Sequence, residues 1–227
     1  MMNIDLTNIG IIKRNTFRDC TSLKSISVND NSSTKVNCKA TIDKNSIKQQ
    51  CDKGLLKNIV LSNSLTAIGN NAFSGCKSLE SVELPSNVII IGENTFEKCE
   101  KLEKVNFSRT SSKLVGRKIE AGAFSFCSSL KTIALPNNLE LIEEQAFLDC
   151  TALKQIEIPE NVKEIKDRAF LGCNSLKTVT ITAKEPPSLG EKVFPIEGVT
   201  FKVPKGSIEK YRNENCWFQY KEMIQEA

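Results

Sequence analysis

Nine cysteines and not one histidine set the limits on what chemistry this chain of 227 residues can attempt. Without an imidazole, neither a Ser-His-Asp nor a Cys-His arrangement is available, so the usual base that activates a hydroxyl or thiol is missing. No Cys-x2-Cys pair occurs either, which removes the ordinary ligand spacing of a structural zinc site. Six cysteines (Cys20, Cys76, Cys99, Cys127, Cys150, Cys173) each follow a phenylalanine by three residues. Such regular placement suits a small buried apolar side chain, and an odd total with equivalent sites argues against a unique disulfide pairing. Cys38, Cys51 and Cys216 stand off this pattern and are the candidate reactive thiols. A carboxylate pair or a Ser-Lys arrangement is what remains for catalysis, but Glu143, Glu144, Glu157, Glu160 and Glu164 fall at positions where a solvated face explains them. Gly69 and Gly92 recur one per copy and lack phosphate-cradle spacing. The expectation is a non-enzymatic protein with no cofactor and no metal.

The elements that carry these residues repeat. Ile68, Phe73, Cys76, Leu79, Val82 and Leu84 return as Ile91, Phe96, Cys99, Leu102, Val105 and Phe107, and the anchors Phe73, Phe96, Phe124, Phe147 and Phe170 are 23, 28, 23 and 23 residues apart. An earlier copy runs through Ile12, Phe17, Cys20, Leu23, Ile26 and Val28. A fixed period of this length means one supersecondary unit stacked on itself. Within a copy, Leu-x2-Val-x-Leu alternates as a short strand does, and Pro85, Pro136 and Pro159 with the polar residues after them end it in a turn. A second inward pair follows, as in Leu139 and Ile142, and a small residue (Thr16, Ala72, Thr95, Ala123, Ala146, Ala169) precedes each phenylalanine, letting neighbouring rings approach.

Two intervals break the period. Phe107 to Ile119 is 12 residues where Leu84 to Ile91 is 7, which predicts an edge loop around residues 108–113. Residues 29–55 lack the Phe and Cys signature and read as a degenerate, hairpin-bearing rung. From Pro186-Pro187 onward the pattern changes: Val199, Phe201 and Val203 alternate, Ser207 is placed to cap a helix, and Tyr211, Trp217 and Tyr220 gather the chain's only Trp and Tyr residues. The expected organisation is a solenoid over residues 1–185 closed by a capping segment over 186–227 of the same domain.

Bulk properties exclude several partners. The 31 basic and 27 acidic residues include no basic run beyond doublets such as Lys13-Arg14, so nucleic-acid binding is not expected. The aliphatic run Val88-Ile89-Ile90-Ile91 is far short of the ~20 apolar residues of a spanning helix. Met1 to Asp5 shows neither a basic nor an apolar leader region, and no polar cap precedes Ile9. A trimmed exported chain, a fragment, or a first rung covered by another subunit would each begin this way.

The motif Ile-Gly-x-x-Ala-Phe-x-x-Cys-x-x-Leu-x-x-Val-x-Leu-Pro resembles the BspA-like leucine-rich repeats, over about residues 9 to 185. Residues 38–65 are similar to a hairpin rung that interrupts such arrays, and Phe201 to Ser207 with Tyr211 and Trp217 are similar to their C-terminal cap. The resemblance implies an α/β repeat: a right-handed, strand-dominated leucine-rich-repeat solenoid with short helical turns and a C-terminal cap. It further implies a bacterial cell-surface or secreted location and adhesion or protein binding; the expected partner is a host or matrix protein.

One candidate surface follows. Ser25, Asn58, Ser81, Lys104, Thr132, Gln155 and Thr178 should form one outward column on the strands, with Ser27, Val60, Glu83, Asn106, Ala134, Glu157 and Thr180 beside it. At roughly 4.8 Å per rung this strip is on the order of 30 Å long. Its candidate contact residues are Ser81, Glu83, Lys104, Asn106, Thr132, Gln155, Glu157 and Thr178. Neither column contains an aromatic, which disfavours sugar stacking. The alternative function is a passive spacer or stalk within a larger surface protein.

Overall fold

Strands form where aliphatic residues alternate, and they stack because each coil returns the chain to the same side. A computed structural model describes residues 3–5, 11–12, 14–16, 18, 25–27, 58–60, 67–84, 90–107 and 118–227. Numbered along the chain, one wall consists of β1 (Asn3–Asp5), β3 (Ser25–Ser27), β4 (Asn58–Val60), β6 (Ser81–Leu84), β8 (Lys104–Phe107) and β10 (Thr132–Ile133), a six-stranded sheet in that order. It resumes as a four-stranded sheet of β12 (Gln155–Ile158), β14 (Thr178–Ile181), β16 (Thr200–Val203) and β17 (Ile224–Glu226). Every pairing is parallel. Inward residues Val82, Val105, Ile156, Val179 and Phe201 are buried while their neighbours face out, the period-two pattern of a half-buried strand.

The second wall is built of two-residue strands: β2 (Ile11–Ile12), β5 (Ala67–Ile68) and β7 (Ile90–Ile91) in one sheet, and β9 (Lys118–Ile119), β11 (Leu141–Ile142), β13 (Glu164–Ile165) and β15 (Ser188–Leu189) in another. Ile68, Ile119, Ile142 and Ile165 are fully buried here.

Between the second wall and the next strand of the first, the chain crosses in an arch that carries the Phe and Cys. Its hydrogen bonds alternate. Ala72, Ser74 and Cys76 donate back three residues within the rung, whereas Asn71, Phe73 and Gly75 donate to Glu93, Thr95 and Glu97 of the next rung at 2.7–2.8 Å. That interleaving requires left-handed backbone two residues before and two after each phenylalanine: Asn71 and Gly75, Asn94 and Lys98, Gly122 and Phe126, Gln145 and Asp149, Arg168 and Gly172. For a non-glycine residue this conformation costs roughly 1–2 kcal/mol, which the cross-rung bonds help offset at about 1 kcal/mol each. The helical turns expected in each rung take this hydrogen-bonded turn form, and the regular helices among the described residues lie in the cap.

Inside the arch the rings of Phe73, Phe96, Phe124, Phe147, Phe170 and Phe194 stack face to face, 5.0–5.5 Å apart and within 9° of parallel. Beside them the thiols of Cys99, Cys127, Cys150 and Cys173 donate to the carbonyls of Phe73, Phe96, Phe124 and Phe147 on the preceding rung at 3.2–3.3 Å. Cysteine here is more than the small hydrophobe that spacing predicts, since its weak S–H donor reaches a buried carbonyl. Burial pushes all four thiols up, Cys173 to about 12. Rungs also approach too closely for a side chain at Gly92, where a Cβ would lie 2.5 Å from the Asn70 amide nitrogen and 2.8 Å from the Gly69 carbonyl carbon. Asn70 uses that proximity, its Oδ1 accepting from the Glu93 amide at 3.1 Å.

The stack ends by turning its aromatic rings. Phe201 meets Phe194 at 72°, and Trp217 and Tyr220 pack across both. Trp217 Nε1 donates to the Pro187 carbonyl and the Tyr211 hydroxyl to that of Ala183, both at 2.8 Å. Helix α1 (Ile208–Asn213) and a 3-10 helix (Asn215–Met223) hold these side chains. Ser207 occupies the N-cap position, but its backbone is helical rather than extended and its hydroxyl makes no capping bond, so the cap expected there does not form. Residues 29–55 and 108–113, read from sequence as a hairpin rung and an edge loop, lie outside the described residues.

Three outcomes follow from this packing. Phe147→Ala should lower stability by about 3–5 kcal/mol in denaturant titration. Gly92→Ala should cost about 1–3 kcal/mol through overpacking, although it adds apolar area. Because the thiol pKa values are raised on folding, their contribution is intact below about pH 9, the ordinary thiol range, and is lost above it. Each thiol ionised only in the unfolded chain should remove about 1.4 kcal/mol per pH unit. Denaturation midpoints should therefore fall between pH 9 and pH 11, less steeply in Cys173→Ala than in the parent, and identical slopes would contradict the assignment.

Candidate protein-binding face

The strand register brings the outward residues into columns. Ser81 pairs with Lys104 and Lys104 with Thr132, while Glu83 pairs with Asn106. Gln155 pairs with Thr178 and Glu157 with Thr180. Glu83, Lys104, Thr132, Gln155 and Glu157 are exposed, and Ser81, Asn106 and Thr178 are half-buried. Both columns run on into the cap, where Thr200 and Lys202 pair with Thr178 and Thr180, and Gln225 with Lys202. Those three residues are missing from the sequence-based strip; the alternation of Val199, Phe201 and Val203 signals Thr200 and Lys202, and no such pattern marks Gln225. At the other end Asn3 and Asp5 extend the register beyond Ser25 and Ser27.

The face is not continuous. No strand pairing joins β10 to β12, so the sheet ladder breaks between Thr132 and Gln155 among the described residues. At this seam lies a concavity of about 690 Å³. Thr132, Gln155, Glu157 and Thr178 line it, together with Thr180, Asn137, Asn138, Phe107, Leu135, Pro136 and Pro159. Ser81, Glu83, Lys104 and Asn106 lie on the N-terminal side and do not line it. Phe107 supplies an aromatic that the columns lack; it occupies an inward position yet stays half-buried where the strand ends.

Charges follow the rungs. Lys77 pairs with Glu100, Lys131 with Glu103, Lys163 with Glu140 and Lys166 with Glu143, each across neighbouring coils at 2.7–3.6 Å. The Lys77–Glu100 and Lys131–Glu103 pairs are largely exposed, so each is worth a fraction of a kcal/mol, whereas Lys166–Glu143 is mostly covered. Lys118 bridges Glu120 and Glu143, and its hydrogen bond to Glu120 is the first cause of its raised pKa. Glu143, weighed from sequence as a catalytic carboxylate, is thus held between two lysines, and Glu144, Glu160 and Glu164 are exposed. No group of metal-ligating side chains occurs among the described residues, and no helix there is long and apolar enough to cross a membrane. Of the off-ladder thiols Cys216 is half-buried; Cys38 and Cys51 lie outside the described residues.

Comparison with known proteins agrees with the repeat fold. A family model described as "BspA type Leucine rich repeat region (6 copies)" matches residues 1–49, 40–116 and 117–221. The chain is similar to a leucine-rich repeat protein from Bacteroides ovatus, with 25% identity and a TM-score of 0.63 over 99% of this chain and 53% of that one. A T. pallidum leucine-rich repeat protein matches at 22% identity and a TM-score of 0.56, over 99% of this chain and 86% of that one, a likeness of fold. The chain therefore spans about half the length of the Bacteroides protein. No curated protein matches it in sequence.

Proposed function

Because this chain belongs to the BspA-type leucine-rich repeat family, we propose that it acts as a non-enzymatic protein-interaction module whose outward strand face is the contact surface. The observation that carries the reading is the division of labour within each strand. Inward residues such as Val82, Ile156 and Val179 are consumed by the stack, while Lys104, Gln155 and Glu157 are held out in register with no role in the core. A repeat scaffold that fixes side chains on a regular grid suits recognition of an extended macromolecular surface. The association of this family with bacterial surfaces supports a cell-surface or secreted location, with adhesion to a host or matrix protein as the finer reading.

Surface plasmon resonance against a panel of matrix and cell-surface proteins tests it. A Lys104→Glu, Gln155→Ala, Glu157→Lys variant should keep the parent's melting temperature and lose at least ten-fold in affinity for any ligand found. Equal binding by parent and variant would remove this face from the function, and binding to no member of the panel would favour a passive spacer.

A further inference from the structure

Several polar side chains bond across to the preceding rung, as Asn161, Thr182 and Ser188 do, and one group does not. The side chains of Thr132, Gln155, Glu157, Thr178 and Thr180 enter no hydrogen bond or ion pair among the described residues, and all five line the concavity at the seam. Strand length brings them there. β8 and β12 each run four residues, whereas β10 stops after Thr132 and Ile133, which pair with Lys104 and Val105. Asn106 and Phe107 thus have no strand partner on that side, and the Phe107 ring, although at an inward position, is left half-buried on the wall of the notch. Past the notch the coils are tied again, Asn161 Nδ2 donating to the Asn137 carbonyl at 2.8 Å.

The lining decides which ligand fits. Glu157 is the only charged residue in it, so the concavity offers no cation to an anion and no second carboxylate to a metal ion. Hydroxyls and the Gln155 amide both donate and accept, and Glu157 accepts. That set matches a ligand whose own polar groups are hydroxyls, each donor and acceptor at once. Phe107, with the buried Leu135 and Pro136, adds apolar surface against which the carbon face of a sugar ring packs. The aromatic missing from the outward columns is therefore supplied by the inward set. The volume of about 690 Å³ falls in the range of small-ligand sites. From β8 to β14 is three rungs, on the order of 14 Å, which suits several linked sugars better than one.

We propose that this concavity binds an uncharged oligosaccharide, one ring laid against Phe107 and its hydroxyls bonded to Gln155, Glu157, Thr178 and Thr180. The site goes beyond the protein-contact reading and does not require it, since Ser81, Glu83, Lys104 and Asn106 lie off the concavity.

Isothermal titration calorimetry with cellohexaose, maltohexaose, xylohexaose and a released oligomannose glycan tests it. The first three stand for free polysaccharide and the last for sugar carried on a glycoprotein; a heparin oligosaccharide and a Gln-Thr dodecapeptide represent the rival ligands. At least one neutral saccharide should bind, with an affinity that does not fall as salt rises. It should weaken at least ten-fold in Gln155→Ala/Glu157→Ala and at least three-fold in Phe107→Leu, which keeps apolar bulk without the ring. Lys192→Glu, a control on the arch, should bind as the parent does, with melting temperatures confirming that every variant folds. Binding of none of the neutral saccharides, tighter binding of the heparin oligosaccharide or the peptide, or equal binding by the parent and the double variant would overturn the proposal. If it falls in this way while the Lys104, Gln155 and Glu157 variant still loses a protein ligand, the interaction module stands.

Discussion

Adjacent coils are held at one spacing by backbone hydrogen bonds at the arch and along the ladders of the two walls, which among the described residues break between β10 and β12 and between β7 and β9, and every side chain inside must conform to it. Two sides are parallel β-ladders, for which about 4.8 Å is the natural separation. The third is the arch, which has no ladder to impose that separation and obtains it by aiming alternate amides at the next coil. Phenylalanine rings 5.0–5.5 Å apart and within 9° of parallel fit this rise, and a bulkier residue in place of Ala72 or Ala123 would push the coils apart. The cysteine position obeys the same limit. A larger side chain would not fit, and a small one without a donor would leave the phenylalanine carbonyl of the previous coil without its sulfur partner.

This dependence explains which parts of the structure were legible in the sequence. Ile68, Phe73, Cys76, Leu79 and Val82 are all at most 1% exposed, so each inward position tolerates only a narrow class of residue and the period shows plainly. Left-handed backbone was only half legible. Asn71, Gly75, Asn94 and Gly122 are residue types that favour it, but Lys98, Phe126, Gln145 and Arg168 adopt the same conformation with no local preference for it. There the neighbouring coil's hydrogen bonds override propensity. Phe126 is the extreme case, a ring 38% exposed with the Lys98 ammonium 5.8 Å from its centroid.

The candidate surface was legible as columns but not as a shape. The spacing from Thr132 to Gln155 is the ordinary 23 residues, so nothing in the pattern announces that β10 stops at Ile133 and leaves no strand pairing to β12. Shape arises from how far each ladder propagates, which depends on the path of the chain between strands. The cap extension of the strip, by contrast, reused the alternation already visible around Phe201.

A ring clasped on both faces has a constrained motion. Phe96, Phe124, Phe147 and Phe170 each lie between two near-parallel neighbours with centroids 5.0–5.5 Å away, so in a close-packed interior a half-turn about Cβ–Cγ needs the coils on either side to separate momentarily. Since the separation is resisted by hydrogen bonds at the arch and by the wall ladders where they form, the flip frequency of these four rings measures breathing of the column. Phe73 and Phe194, at the two ends of the described series, report on its margins.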